Sequence, residues 1–319
     1  MPIVKSNFKP HLRFRSGFIA TVYSGLIRRL KIKQFRERII LRDDDFIDLD
    51  WSYSPTPSKS VIILFHGLEG HGQRPYITGA ALHFNEHNID AICVNFRCCS
   101  GELNKYYTSY HSGKTDDLED IIQHVISLGK YDSIFLKGIS LGGNILLKYL
   151  GDGTVVPPQV KAAMAVSVPC DLSGSAKALH ALKNLPYHIN FKWGLINRLK
   201  LKQKQFPEAI TKAKIRAIKT LNDFDEVYTS RAHGFKNAQD YYKKCSSLQF
   251  LNAIKTPVLI LNALNDSFLS EDCFPFDEAK KNSNIFLETP NRGGHVGFIS
   301  RNGYYYNETR ALEFFLETK

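Results

Sequence analysis

Apolar residues fall along this 319-residue chain in short solid runs separated by longer stretches of mixed character. The runs at 61–65, 91–96, 134–136, 163–168, 258–261 and 285–287 hold few or no polar side chains. Continuous runs of that length predict strands buried on both faces, as in a parallel sheet, rather than strands wetted on one side. Helix-length segments lie between most of them, at about 76–87, 116–128 and 143–150, with a last one near 307–317. The alternation predicts an α/β fold: a mainly parallel sheet of eight strands, right-handed crossovers and flanking helices. Ahead of it, 39–41 and 46–51 read as the first, antiparallel strands, with Asp43, Asp44 and Asp45 making the turn between them.

The alternation breaks once, over about 171–255, a stretch that is helix-rich, charged and aromatic and too long for a simple loop inside a domain. The expected organisation is an N-terminal arm with a short amphipathic helix at 1–34, packing on the core; an α/β core at 35–170 and 256–319; and a helical cap inserted at 171–255. Residues 189–196 of the cap are candidates to line an apolar cleft. No internal repeat or low-complexity tract interrupts this plan.

The core places chemistry at strand ends. Lys137-Gly138-Ile139-Ser140-Leu141-Gly142-Gly143 follows the run 134–136 and opens a helical segment, which reads as a nucleophile elbow: a serine on a tight strand-to-helix turn, with glycines two positions before and after it. A serine hydroxyl needs a base to take its proton as it attacks. His295, behind Gly293 and Gly294, is the candidate base, and Asp266, on the loop after the run 258–261, is the candidate to orient it. Asp223, Asp225 and Asp272 are rivals; Asp266 is preferred because it directly follows a core strand. The backbone N–H groups of Leu141, at the helix start, and Leu68, in His66-Gly67-Leu68-Glu69-Gly70 after the run 61–65, are the expected oxyanion donors. Among the other histidines, His66 belongs to that loop, His111 is expected to order a turn before a helix, and His233 falls in the cap.

Composition changes this picture little. The net charge is +11 and the pI about 9.2. Much of the excess sits in two clusters, 26–33 and 197–204, where basic and apolar residues alternate as on solvated amphipathic helix faces, with transient contact to an anionic membrane surface as the sharper reading. No nucleic-acid fingerprint accompanies them. The six cysteines include no C-x-x-C pair and no matching histidine spacing, so neither zinc nor a disulfide framework is expected, and no cofactor. With no signal-peptide core and no apolar stretch long enough to span a bilayer, the expected location is the cytoplasm.

Several blocks together resemble the YheT-like branch of the α/β-hydrolase superfamily, which also contains eukaryotic abhydrolase-domain lipases and ethyl ester synthases. They are residues 16–23, 66–70, Phe96-Arg97-Cys98-Cys99-Ser100-Gly101-Glu102, 110–118, 138–144, Phe224-Asp225, Gly234-Phe235 and Asp240-Tyr241-Tyr242. The resemblance spans nearly the whole chain. It departs at Cys98, where a glycine is usual, at Lys114, where an acid is common, and at Ser267, where proline often follows the acid. It implies a serine esterase or acyltransferase acting on medium-chain acyl esters, with the triad on Ser140, Asp266 and His295. The expected function is therefore cofactor-independent hydrolysis of short- to medium-chain acyl esters through an acyl-enzyme. The alternatives are acyl transfer to an alcohol, or a non-catalytic lipid-binding protein, whose usual sign is a broken triad.

Overall fold

Among the described residues nine strands form the sheet, one more than the sequence pattern predicts: β1 (Ile3–Val4), β2 (Phe35–Ile40), β3 (Phe46–Ser52), β4 (Ser60–Phe65), β5 (Asp90–Asn95), β6 (Ser133–Ile139), β7 (Val160–Val166), β8 (Val258–Leu261) and β9 (Ile285–Glu288). The computed structural model describes residues 3–28, 30–300 and 303–318; Arg29 of the first basic cluster, and the side chains of Leu26 and Ile27, lie outside the described residues. The extra strand is β1, two residues that pair in parallel with the edge strand β9. An element so short carries no periodicity to read.

The strand order is β1-β9-β8-β7-β6-β4-β5-β3-β2, with β2–β3 and β3–β5 antiparallel and the remaining pairs parallel. The turn between β2 and β3 passes through Asp44 at φ 62°, and Asp43 and Asp45 both ion-pair with the buried Arg97.

The helices are α1 (Gly17–Val22), α2 (Pro75–Glu86), α3 (Thr115–Ser127), α4 (Leu141–Gly151), α5 (Leu172–His180), α6 (Leu185–Gln205), α7 (Lys212–Ala217), α8 (Leu221–Phe224), α9 (Ser230–Ala232), α10 (Ala238–Cys245), α11 (Phe276–Lys281) and α12 (Tyr306–Glu317). Strand alternation splits the core into two layers. In β4, Val61, Ile63 and Phe65 pack with α3 and α4 through Leu118, Ile121, Ile122, Ile145 and Leu146. On the other face, Ile62 and Leu64 pack with α2 and α12 through Ile77, Phe84, Phe314 and Phe315. Because both faces are covered, the strands read as unbroken apolar runs.

Helices α5 to α10 all fall between β7 and β8; α10 packs with Leu172 of α5 in a small apolar cluster, and α5 to α8 build a larger one that includes Leu195, Leu199, Ile215, Leu221 and Phe224. Phe268, on the loop after β8, joins that cluster. Among the described residues no helix is long and apolar enough to cross a membrane.

Candidate active site

The parallel strands end on one side of the sheet, and the predicted chemistry lies in the loops that leave those ends. Ser140 sits between β6 and α4 at φ 53° and ψ −118°, a backbone conformation that costs a non-glycine residue about 1–3 kcal/mol. Its neighbours make the turn feasible. A Cβ on Gly142 would lie 2.6 Å from the His66 carbonyl oxygen, and one on Gly138 would meet the Gly142 carbonyl oxygen at 2.5 Å. Only glycine fits either position.

Ser140, His295 and Asp266 come together from three loops. The Ser140 hydroxyl donates to His295 Nε2 at 3.0 Å, and His295 Nδ1 donates to Asp266 Oδ2 at 2.8 Å. A carboxylate can only accept, so the contact selects the Nδ1–H tautomer and leaves Nε2 free to take a proton. Asp266 also accepts from the Phe268 N–H at 2.9 Å, and the Phe268 ring stacks on the imidazole with centroids 4.3 Å apart. The rival acids go elsewhere. Asp225 accepts from Thr229 and Tyr242, and Asp223 closes a capping box with Thr220.

The loop carrying His295 is held by residues that sequence reading did not single out. The Thr21 hydroxyl of α1 accepts from the His295 N–H at 2.9 Å, the Ser167 hydroxyl from Val296 N–H at 2.9 Å, and the Asn265 side chain from Gly294 N–H at 3.0 Å. Ser167 (φ 52°) and Val296 (φ 68°) are themselves in the left-handed region. Isolated hydroxyls and amides in distant segments carry no local pattern; only the unusual run of glycines around His295 hints at a tightly packed loop.

The expected oxyanion donors lie beside the serine. Leu141 is the first residue of α4, where N–H groups have no intrahelical acceptor. Leu68 follows Gly67, whose added Cβ would lie 3.2 Å from Ser140 Cβ, so this loop touches the nucleophile. His66 orders the loop from below: its Nδ1 donates to the Gly67 carbonyl at 2.7 Å and its Nε2 accepts from Phe96 N–H at 3.2 Å. Burial pushes its pKa down to about 3, so it stays neutral. Glu69, at φ 57°, receives Arg198 of α6 on its carboxylate at 2.9 Å and Tyr110 Oη at 3.0 Å.

Two cavities open on Ser140 and His295. The first runs under α5, α6 and α8 and is lined by Leu68, Leu141, Leu172, Leu179, Phe191, Leu195, Leu199, Leu221 and Phe224, with Asp225 and Tyr242 also in its wall. There the Asp225 carboxyl is pushed up to about 6 by burial. Phe191 and Leu195 face this space as the sequence suggests, whereas Ile189 and Trp193 of the same segment are exposed. Two members of the second basic cluster, Arg198 and Lys202, also turn into this wall instead of forming a solvated face. Lys202 donates to the Tyr106 carbonyl. His111 accepts from Gly113 N–H in the turn before α3, as expected, and its ring lies against His233. The second is lined by Thr21 and Ser24 after the start of α1, by Arg74 and Tyr76 at the start of α2, and by Tyr187 and Asn190 of α6. Among the described residues no group of three or more His, Cys, Asp or Glu is placed to hold a metal.

Comparison with known proteins agrees with this architecture. Residues 56–273, which include Ser140 and Asp266, match the family described as "Serine aminopeptidase, S33". The Escherichia coli (strain K12) protein named "Putative esterase YheT" is 33% identical over 92% of this chain and 87% of its own length. "Phospholipase ABHD3" of Homo sapiens is 28% identical over 93% of this chain and 75% of its own. The solved structure of an esterase from Pyrococcus furiosus superposes with a TM-score of 0.62 at 15% identity, covering 92% of this chain and 96% of that one, a likeness of fold.

Proposed function

The chain belongs to the YheT-like family of α/β-hydrolases and is a carboxylic ester hydrolase; from that premise we propose that it cleaves short- to medium-chain acyl esters with Ser140 as nucleophile, His295 as base and Asp266 as the group that orients and compensates the imidazolium. The observation that carries this reading is the continuous Ser140–His295–Asp266 relay, with contacts of 3.0 and 2.8 Å, at the floor of an apolar cavity. As Ser140 Oγ bonds to the acyl carbon, its proton passes to His295 Nε2. The negative charge that develops on the carbonyl oxygen is met by the N–H groups of Leu68 and Leu141, the latter with the positive end of the α4 dipole behind it. Collapse of the adduct returns the proton from His295 to the departing alcohol, leaving an acyl-enzyme. Water then repeats the sequence and releases the acid.

Residues 171–255 act in this reading as a cap on a core of 35–170 and 256–319, with 1–34 as an arm packed against that core. The acyl chain runs beneath α6 among Leu195, Leu199, Leu221 and Phe224, so the cap sets chain-length preference.

The test is turnover of p-nitrophenyl esters with acyl chains from two to twelve carbons, beside Ser140→Ala. The variant is expected to lose at least about a thousandfold in kcat while still binding substrate. Equal background rates for both proteins on every ester would sink the proposal in favour of a binding protein. Product analysis with added ethanol or glycerol separates hydrolysis from transfer, since both share the acyl-enzyme.

A further inference from the structure

The net charge of +11 is not spread evenly along the chain. Two stretches, 1–36 and 172–207, hold no Asp or Glu, and sixteen of the 42 Lys and Arg lie in them. The rest of the chain carries the other 26 against all 31 acids, so it is slightly acidic. The fold brings the two acid-free stretches together. The Phe18 ring of α1 packs on Tyr187 of α6 with centroids 5.4 Å apart, and the Tyr187 hydroxyl donates to the Phe18 carbonyl at 3.2 Å.

Where they meet, large apolar side chains stand in solvent. Phe18 and Ile19 of α1 are exposed; across from them Leu182 is 88% exposed and Trp193 68%, with Leu185 and Ile189 also outside. A spacing of four puts Leu185, Ile189 and Trp193 on one face of α6, and that face continues into the exposed Lys200 and Lys204. Arg13, Arg15 and Lys183, next to the apolar residues in sequence, are exposed as well. Among the described residues none of these five cations has a carboxylate partner, unlike Arg28 with Glu308 and Arg198 with Glu69, which are drawn away from this face. A contiguous apolar patch rimmed by unpaired charge of one sign marks an interaction surface.

We propose that this face of α1 and α6 docks on an anionic lipid bilayer, with Phe18, Ile189 and Trp193 at the boundary of headgroups and acyl chains and the cations on lipid phosphates. Charge complementarity selects the occupant. A second copy of the chain would set like charges against each other across the same patch. A soluble acidic protein would satisfy the cations but would need an apolar patch of matching shape for the tryptophan and its aliphatic neighbours, whereas fluid lipid offers anions and hydrocarbon together. The second cavity reaches the surface within this face, since Asn190 is both exposed and part of its wall. Docking therefore turns one route to Ser140 toward the lipid. The contact itself is independent of the chemistry at Ser140.

Trp193 supplies the readout. The other tryptophan, Trp51, is buried, so a change in emission on adding vesicles reports Trp193. With vesicles of equimolar phosphatidylglycerol and phosphatidylcholine, the protein is expected to co-sediment and its emission to move to shorter wavelength. Affinity for phosphatidylcholine alone is expected to be at least about tenfold weaker, and added salt to weaken binding to the anionic vesicles. Two double variants at exposed positions remove the apolar and the cationic parts separately: Trp193→Ser with Ile189→Ser, and Lys200→Glu with Lys204→Glu. Each is expected to lower affinity for the anionic vesicles about tenfold with an unchanged melting temperature. The control makes the same charge change elsewhere, Lys59→Glu with Lys281→Glu, both exposed and just ahead of β4 and β9, at the opposite end of the strands. It is expected to bind as the wild type does. Equal loss in the control would reduce the effect to net charge, equal binding to both vesicles would remove the anion, and binding without an emission shift would place the contact on another face. Failure to sediment with either vesicle overturns the proposal outright. Self-association in solution that the Trp193→Ser, Ile189→Ser pair abolishes would assign the face to a second copy instead.

Discussion

The strain at Ser140 and the small residues around it are one device. A left-handed serine presents its hydroxyl at the tip of the turn between β6 and α4, and the chain can cross there only because Gly138, Gly142 and Gly67 carry no Cβ to meet the neighbouring backbone. Gly67 differs from the other two. Its added Cβ would lie 3.2 Å from Ser140 Cβ and 3.7 Å from Ser140 Oγ, a close approach that a shift of a few tenths of an ångström relieves. Gly67→Ala is therefore expected to fold, with a melting temperature near that of the wild type, while moving the Leu68 N–H away from the oxyanion. Complete loss of one such donor costs about two to three orders of magnitude in kcat, so partial displacement predicts about ten- to hundredfold. Steady-state kinetics and thermal melting of the one variant separate the effects. An unchanged kcat would place Leu68 outside the oxyanion hole.

Helix α6 shows why some of the site was hidden in the sequence and some was not. The elbow was legible because a strand, a glycine-flanked serine and a helix are contiguous, and Asp266 because it directly follows a solid apolar run. The basic cluster at 197–204 has no such signal: alternating basic and apolar residues suggest a wetted face, yet Arg198 and Lys202 point inward while Leu201 is exposed. What draws Arg198 in is Glu69, some 130 residues earlier. Helix α6 can approach that carboxylate because residue 194 is glycine; a Cβ there would lie 2.5 Å from Glu69 Oε2. Tyr110 completes the cluster, accepting from the Glu69 N–H at 2.9 Å. Breaking the pair strands a largely buried carboxylate next to Leu68, so Arg198→Ala is expected to cost about 3 kcal/mol of stability and to lower kcat. Adding Glu69→Gln to Arg198→Ala removes the unpaired charge and is expected to recover much of the stability. Urea unfolding of the two single variants and the double variant measures this coupling; simply additive losses would show that the ion pair does not organise the loop.

At the scale of the whole molecule, the strands were legible because both sheet faces are covered, and what stayed hidden depends on contacts across long sequence distances: β1 on β9, Thr21 on His295, and the buried charges behind the sheet. Cys98 is a local instance: a non-glycine at φ 64°, with its N–H donating to the Asn104 side chain. Lys137 is the most consequential of the hidden charges. Strand alternation turns it away from the serine side and toward α12, where it is fully buried and its Nζ donates to the Asn307 carbonyl and side-chain oxygens, both at 2.8 Å. Arg28 and Glu308 form an ion pair nearby, the carboxylate favouring the lysine's charge and the guanidinium opposing it. Burial outweighs both and brings the Lys137 pKa down to about 7 from an ordinary value of 10.5. Between those values the unfolded chain binds the extra proton, so this group makes stability rise with pH from 7 to about 10, by up to about 1.4 kcal/mol per unit, and withdraws that stability as pH falls back toward 7. Burial raises the thiol pKa of Cys93 and Cys99 and the phenol pKa of Tyr131 and Tyr149, which produces the opposite slope, so the wild-type curve alone mixes the contributions. The difference between Lys137→Met and wild type isolates the lysine. Whatever its absolute sign, which also includes the lost bonds to Asn307, that difference should move by about 3–4 kcal/mol in favour of wild type between pH 7 and pH 10, measured by denaturant unfolding at each pH. A difference that stays flat would mean that Lys137 keeps its proton in the folded protein, with Glu308 rather than burial governing its charge.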